Sequence, residues 1–101
     1  LKAAQAFVAG LTAEQKAVVV LAADDKRRPD WHFVPQHVRR GLRLRDLSEA
    51  QQKQALDVLR AFLSDVGYAK ARTIMSLEEI LHEVETAKGN GVNVRDPLRY
   101  Y

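Results

Sequence analysis

The segment Asp30-Trp31-His32-Phe33 holds the densest chemistry in this chain. Asp and His are residue types that orient or transfer protons and that ligate zinc or iron. In an extended segment, residues two apart point to the same side, so Asp30 and His32 can act together. His37 follows five residues later and can join them. These three are the candidate catalytic or metal-ligating residues, with a divalent metal as the candidate cofactor. A metal site needs three or more protein ligands at fixed geometry, and this segment offers three at most. The plainer alternative is a structural one, in which Trp31, Phe33 and Val34 anchor a loop on the helices and His32 satisfies a backbone group.

The same region is basic. Lys26, Arg27, Arg28, Arg39, Arg40, Arg43 and Arg45 crowd together, with Trp31 and Phe33 between them. Interleaved Arg and aromatic residues can follow a nucleic-acid strand. Asp24, Asp25, Asp30 and Asp46 sit among them, however, and the whole chain carries only +3. No helix-turn-helix or RNA-binding signature is present. Nucleic acid is therefore disfavoured, and local ion pairing is the main expectation. An anionic small ligand, held by Trp31, Arg39 and Arg40, is the sharper one.

Other motifs fail on spacing. Glu79-Ile80-Leu81-His82 is a single Glu-x-x-His, whereas carboxylate-bridged di-metal bundles need two such pairs and two further Glu. With Leu77, Leu81 and Val84 on one helix face, Glu79 falls roughly opposite them. His82-Glu83 is not followed by the second His of a zinc-protease motif. Gly89-Asn90-Gly91 lacks the spacing of a phosphate loop, and no Ser occupies a nucleophile elbow. With no Cys, thiol chemistry and disulfides are excluded.

The elements that position these residues read as helical. Ala3, Ala4, Ala6, Phe7 and Val8 lie in a short Ala-rich stretch that ends at Gly10, a C-cap residue type. Thr12 with Gln15 forms a capping box, predicting a helix that runs to about Ala23. Ser48 with Gln51 repeats that design at a spacing of 36 residues, and the segments that follow do not correspond. This is one capping solution used twice rather than a repeat. The second box opens the strongest helix, with Ala55, Leu59, Phe62 and Val66 at helical spacing and Gly67 as its stop. A further helix is expected from about Tyr68 to Lys88, with Ile74, Leu77, Leu81 and Val84 as its stripe. Ser76 with Glu79 could break it, and a single helix is preferred. Asp96-Pro97 is an N-cap followed by Pro at the first helical position. Between Asp24 and Arg45 periodicity vanishes, and a short extended piece is expected at Trp31–Val34.

A chain of 101 residues supports one small domain, or a piece of a larger one. No apolar run approaches the roughly 20 residues that span a bilayer. The start at Leu1 and the aromatic end Arg99-Tyr100-Tyr101 are expected of a processed or truncated chain.

Taken in order, the motifs are Leu-Thr-x-Glu-Gln at Leu11–Gln15, Asp-Trp-His-Phe-Val-Pro at Asp30–Pro35 and Arg-x-Gly-Leu-x-Leu-x-Asp-Leu-Ser at Arg39–Ser48. Gly-Tyr-x-Lys-Ala-x-x-Ile-Met-x-Leu-Glu at Gly67–Glu78 and Arg-Asp-Pro-x-x-Tyr-Tyr at Arg95–Tyr101 follow. Their succession resembles the N-terminal part of a bacterial and fungal family known as domain of unknown function thirty-five hundred. Members are usually several times longer, with a β-rich remainder that carries His-containing motifs. The resemblance therefore implies the N-terminal part of a larger α+β protein, and, because many members look exported, an exported or periplasmic location. It implies no particular activity.

The expected architecture is all-α: three to five helices around an antiparallel αα-hairpin, Ser48–Val66 and Tyr68–Lys88. The chain reads as a single helical domain or domain fragment over 1–101, with a loop at 24–46, the hairpin at 48–88 and a tail at 89–101. Leu59, Phe62, Leu63, Ile74, Leu77 and Leu81 are expected to form the hairpin seam. An exposed apolar patch is expected around Trp31 or the Tyr100–Tyr101 end. Two functions stay open. In one, Asp30, His32 and His37 belong to an enzyme site completed by further sequence. In the other, the chain is a non-enzymatic interaction or packing module that holds the rest of a longer chain or a second copy.

Overall fold

The computed structural model describes residues 1–30, 39–89 and 95–100. Among them are four α-helices, α1 (Lys2–Ala9), α2 (Ala13–Val19), α3 (Glu49–Phe62) and α4 (Asp65–Ala87). Two short 3-10 turns, Leu44–Asp46 and Pro97–Arg99, complete the order, and no strand is present among the described residues. The fold is all-α.

Both capping boxes form. The Thr12 hydroxyl accepts from the Gln15 N–H at 3.2 Å, and the Gln15 side chain accepts from the Thr12 N–H at 2.9 Å. Ser48 and Gln51 do the same at 3.3 and 2.9 Å. Each box satisfies two of the amide groups that a helix start leaves without partners. The two boxes also meet. Gln51 Nε2 donates to Gln15 Oε1 at 2.9 Å and to the Gly10 carbonyl at 2.8 Å, while Gln15 Nε2 donates back to Gln51 Oε1 at 3.5 Å. The residue before each cap is a buried leucine, Leu11 and Leu47. Two stretches with the same local solution thus clamp α1, α2 and α3 at one point.

Gly10 ends α1 as expected, though with φ −78°, not in the left-handed region. A Cβ there would lie 2.7 Å from Gln54 Oε1, the far end of a flexible side chain that can move aside. Gly89, at φ +71°, ends α4 in the left-handed conformation that glycine adopts without strain.

Two boundaries differ from expectation, the end of α2 and the α3–α4 junction, whereas α4 is the single helix expected. α2 stops at Val19, with Val20 already extended, because a run of β-branched valines loses side-chain freedom in a helix. Gly67 does not stop α3. That helix ends at Phe62, and Ser64 caps α4 by accepting from the Gly67 N–H at 3.1 Å, which places Gly67 inside the first turn of α4. Ser76 does not break α4; its hydroxyl bonds back to the Thr73 carbonyl at 2.7 Å and the helix continues to Ala87.

The core also lies elsewhere. Leu11, Leu44, Leu47 and Met75 are buried, with Phe7, Val19, Leu42, Ala55, Leu56 and Tyr100 packed around them. α3 rests mainly on α1, and α4 meets the Pro97–Arg99 turn. α3 and α4 are joined through Leu63 and Ser64 but touch only slightly. At their junction the Arg60 guanidinium lies 5.5 Å over the Tyr68 ring. The expected seam does not form: Phe62 is 77% exposed, and Leu63, Ile74, Leu77 and Leu81 are exposed too.

Candidate functional site

Asp30, Arg39 and Arg40 are the described members of the predicted site; Trp31, His32 and His37, with the extended piece at Trp31–Val34, lie outside the described residues. Arg40 Nε donates to Asp30 Oδ2 at 2.9 Å, joining two of the predicted residues across ten positions of chain. Both partners are largely exposed, so the pair contributes little to stability. Arg39 is half-buried. Among the described residues no group of three His, Cys, Asp or Glu side chains is placed to hold a metal.

The basic segment is neutralised from within. Arg27 grips Asp25 through its side chain and its backbone N–H, and that hydrogen bonding holds the Asp25 carboxyl down at about 2. Arg43 forks onto Asp46 at 2.6 and 2.9 Å, which also lowers the Asp46 pKa. Arg45 reaches Asp96 at 2.7 Å, and Arg28 donates to the Ala23 carbonyl at 2.6 Å. Arg27, Arg40, Arg43 and Arg45 are each paired with an aspartate, the local ion pairing expected of this segment.

The tail is tied to α4 by the same chemistry. Arg95 donates to both oxygens of Glu85, at 3.0 and 2.7 Å, and lies 3.7 Å from Glu78. The arginine's hydrogen bonds lower the Glu85 pKa. Tyr100 is half-buried against the core, and its carbonyl accepts from the Leu44 N–H at 2.9 Å. Burial, with the Glu78 carboxylate nearby, raises the pKa of its phenol. Tyr100 therefore does not contribute the exposed end that was expected, and Tyr101 lies outside the described residues.

Among the described residues an apolar patch runs along α4. Val66, Ile74, Leu77, Ile80, Leu81 and Val84 are all exposed. At 100° per residue they fall on one face, about 27 Å long at 1.5 Å per residue. Met75, buried in the core, projects about 160° away from Leu77. Glu79 and His82 are exposed, as expected of a solvated Glu-x-x-His. α4 thus packs through a narrow face built on Met75 and presents its broad apolar face to solvent. The broad stripe was visible in the sequence. What concealed its exposure was the assumption that the widest stripe faces the neighbouring helix.

No curated protein and no solved structure matches the chain. The family described as Protein of unknown function (DUF3500) matches residues 1–101. The chain belongs, over its whole length, to that DUF3500 family.

Proposed function

We propose that this chain is an interaction and packing module whose working surface is the outer face of α4. The observation that carries this is the exposure of Val66, Ile74, Leu77, Ile80, Leu81 and Val84 on one continuous helix face. Burying one such side chain is worth about 1.5–3 kcal/mol, and monomeric proteins rarely leave a contiguous patch of this kind uncovered. The surface that covers it is a further part of the polypeptide or a second copy. The Arg95–Glu85 clamp and the burial of Met75 in the core support the role by holding α4 in place while leaving that face open.

The test is the double substitution Leu77→Arg with Leu81→Arg. Because both side chains are exposed, unfolding free energy should stay within about 0.5 kcal/mol per site. Association measured by light scattering, and binding of an apolar fluorescent dye, should both fall. A variant that unfolds would show that the chain itself covers this face. A variant that associates and binds dye like the parent would refute the face as a contact surface.

A second reading is favoured by the Asp30–Arg40 ion pair, which draws together the residues on either side of the segment bearing Trp31, His32 and His37. In it Asp30, His32 and His37 serve acid–base chemistry or ligate a divalent metal. Trp31, Arg39 and Arg40 hold an anionic group, and further sequence completes the site. Metal content of the purified protein tests this: His32→Ala should release a metal that the parent retains. Equal, negligible metal in both removes the metal-dependent form of this reading.

A further inference from the structure

The outer face of α4 is apolar but not neutral, and its inner charge constrains what can lie over it; this step rests on the reading of that face as a contact surface. Val66, Ile74, Leu77, Ile80, Leu81 and Val84 centre on one line along the helix, and at 100° per residue Lys70 lies within about 20° of that line. Val66 precedes Lys70 by four residues, and Thr73 and Ile74 follow it by three and four, the spacings that set side chains beside one another on a helix. Val66, Ala69, Thr73 and Ile74 line an open depression together with Lys70. Lys70 is exposed and forms no ion pair among the described residues. Lys88, which caps α4, falls on the same line about five turns further on. No carboxylate of α4 shares this face. The nearest, Glu85, lies about 80° from its centre and is held by Arg95, while Glu78, Glu79 and Glu83 lie further round.

Whatever buries the apolar stripe also takes the Lys70 ammonium out of water. A buried charge is tolerated only when it is paired, so the occupant must bring an anionic group. A second copy offering the same face brings none, because its stripe would meet Lys70 with aliphatic side chains or with another lysine. A lipid surface also fits poorly. Interfacial helices reach the headgroups with basic residues on their polar face, whereas Lys70 stands in the middle of the apolar one. Glu78, Glu79, Glu83 and Glu85 besides crowd the C-terminal half of the helix. We propose that the outer face of α4 receives a polypeptide segment of different sequence, with an apolar stripe and a carboxylate seated against Lys70. The ion pair fixes the register of that segment, and the stripe from Ile74 to Val84 supplies most of the buried area.

Two synthetic helical peptides of about 20 residues, long enough to lie along the face, serve as probes. Each has a leucine stripe interrupted once, by glutamate in one and by lysine in the other. In fluorescence polarisation the 101-residue chain should bind the glutamate peptide about tenfold or more tightly than the lysine peptide. Lys70→Glu should reverse that preference, with helix content by circular dichroism unchanged. Equal affinity for the two peptides, or a preference that survives Lys70→Glu, overturns the proposal. So does a chain that binds neither peptide. Equal binding of both that is abolished by Leu77→Arg with Leu81→Arg would overturn this partner chemistry and leave the contact-surface reading standing. Vesicles containing phosphatidylserine should not bind. Vesicles held by the parent and released by Lys70→Glu would assign the face to lipid and overturn the proposal.

Discussion

Leu47→Ala is expected to lower the unfolding free energy by about 2–5 kcal/mol, the usual range for truncating a buried leucine. Leu47 is only 6% exposed and shares the core with Leu11, Leu44 and Met75. It is also held just before the Ser48 cap, so neither backbone nor neighbours can readily close the space. The same experiment on Phe62→Ala should show a loss below about 1 kcal/mol, because surface substitutions rarely exceed half that value. Chemical denaturation of both variants decides the matter. If Phe62→Ala proves the costlier, the core is centred on the α3–α4 junction and not on the two capped leucines.

Gln51→Ala is expected to cost about 1–2 kcal/mol, more than an ordinary exposed polar residue would. Its amide completes a capping box and also donates to the Gly10 carbonyl and to Gln15. A typical internal hydrogen bond contributes about 0.5–1.5 kcal/mol net. The sharper test is Gln51→Glu. Glutamate serves a capping box as well as glutamine does. Here, however, a carboxylate would point acceptor oxygens at Gln15 Oε1 and the Gly10 carbonyl, with no proton to offer either. Gln51→Glu should therefore destabilise the fold about as much as Gln51→Ala. A double-mutant cycle with Gln15→Ala should show coupling of about 0.5 kcal/mol or more. A neutral Gln51→Glu would mean that the two boxes act independently.

These two results separate what is local from what is not. The helix starts at Thr12 and Ser48, and the cap at Asp96, were legible because each depends on a hydrogen bond between residues two or three apart. Gly67 misled for the opposite reason. A glycine after an apolar run reads as a stop, but Ser64, three residues earlier, turned it into part of the next helix start. The match between Leu11–Gln15 and Leu47–Gln51 was plain in the sequence, yet nothing in it said that the two glutamines would bond to each other. In the candidate site, four aspartates stood near seven basic residues, and proximity in the chain could not choose Arg40 for Asp30 or Asp96 for Arg45.

The sequence by itself determined that the chain is all-α, where its boxed helices begin, that it offers no Cys chemistry, and that α4 carries a broad apolar stripe. Tertiary structure alone decided which face of α4 is buried. Periodicity reports that a face is apolar, whereas burial depends on which other surface reaches it. Here Leu11, Leu44 and Leu47 gather round Met75, and Arg95 ties the tail to Glu85 further along the helix. Those contacts span tens of residues and hold α4 by its narrow side. The wide stripe from Val66 to Val84 is thereby left outward, and the most apolar helix surface in the sequence becomes the one available to a partner.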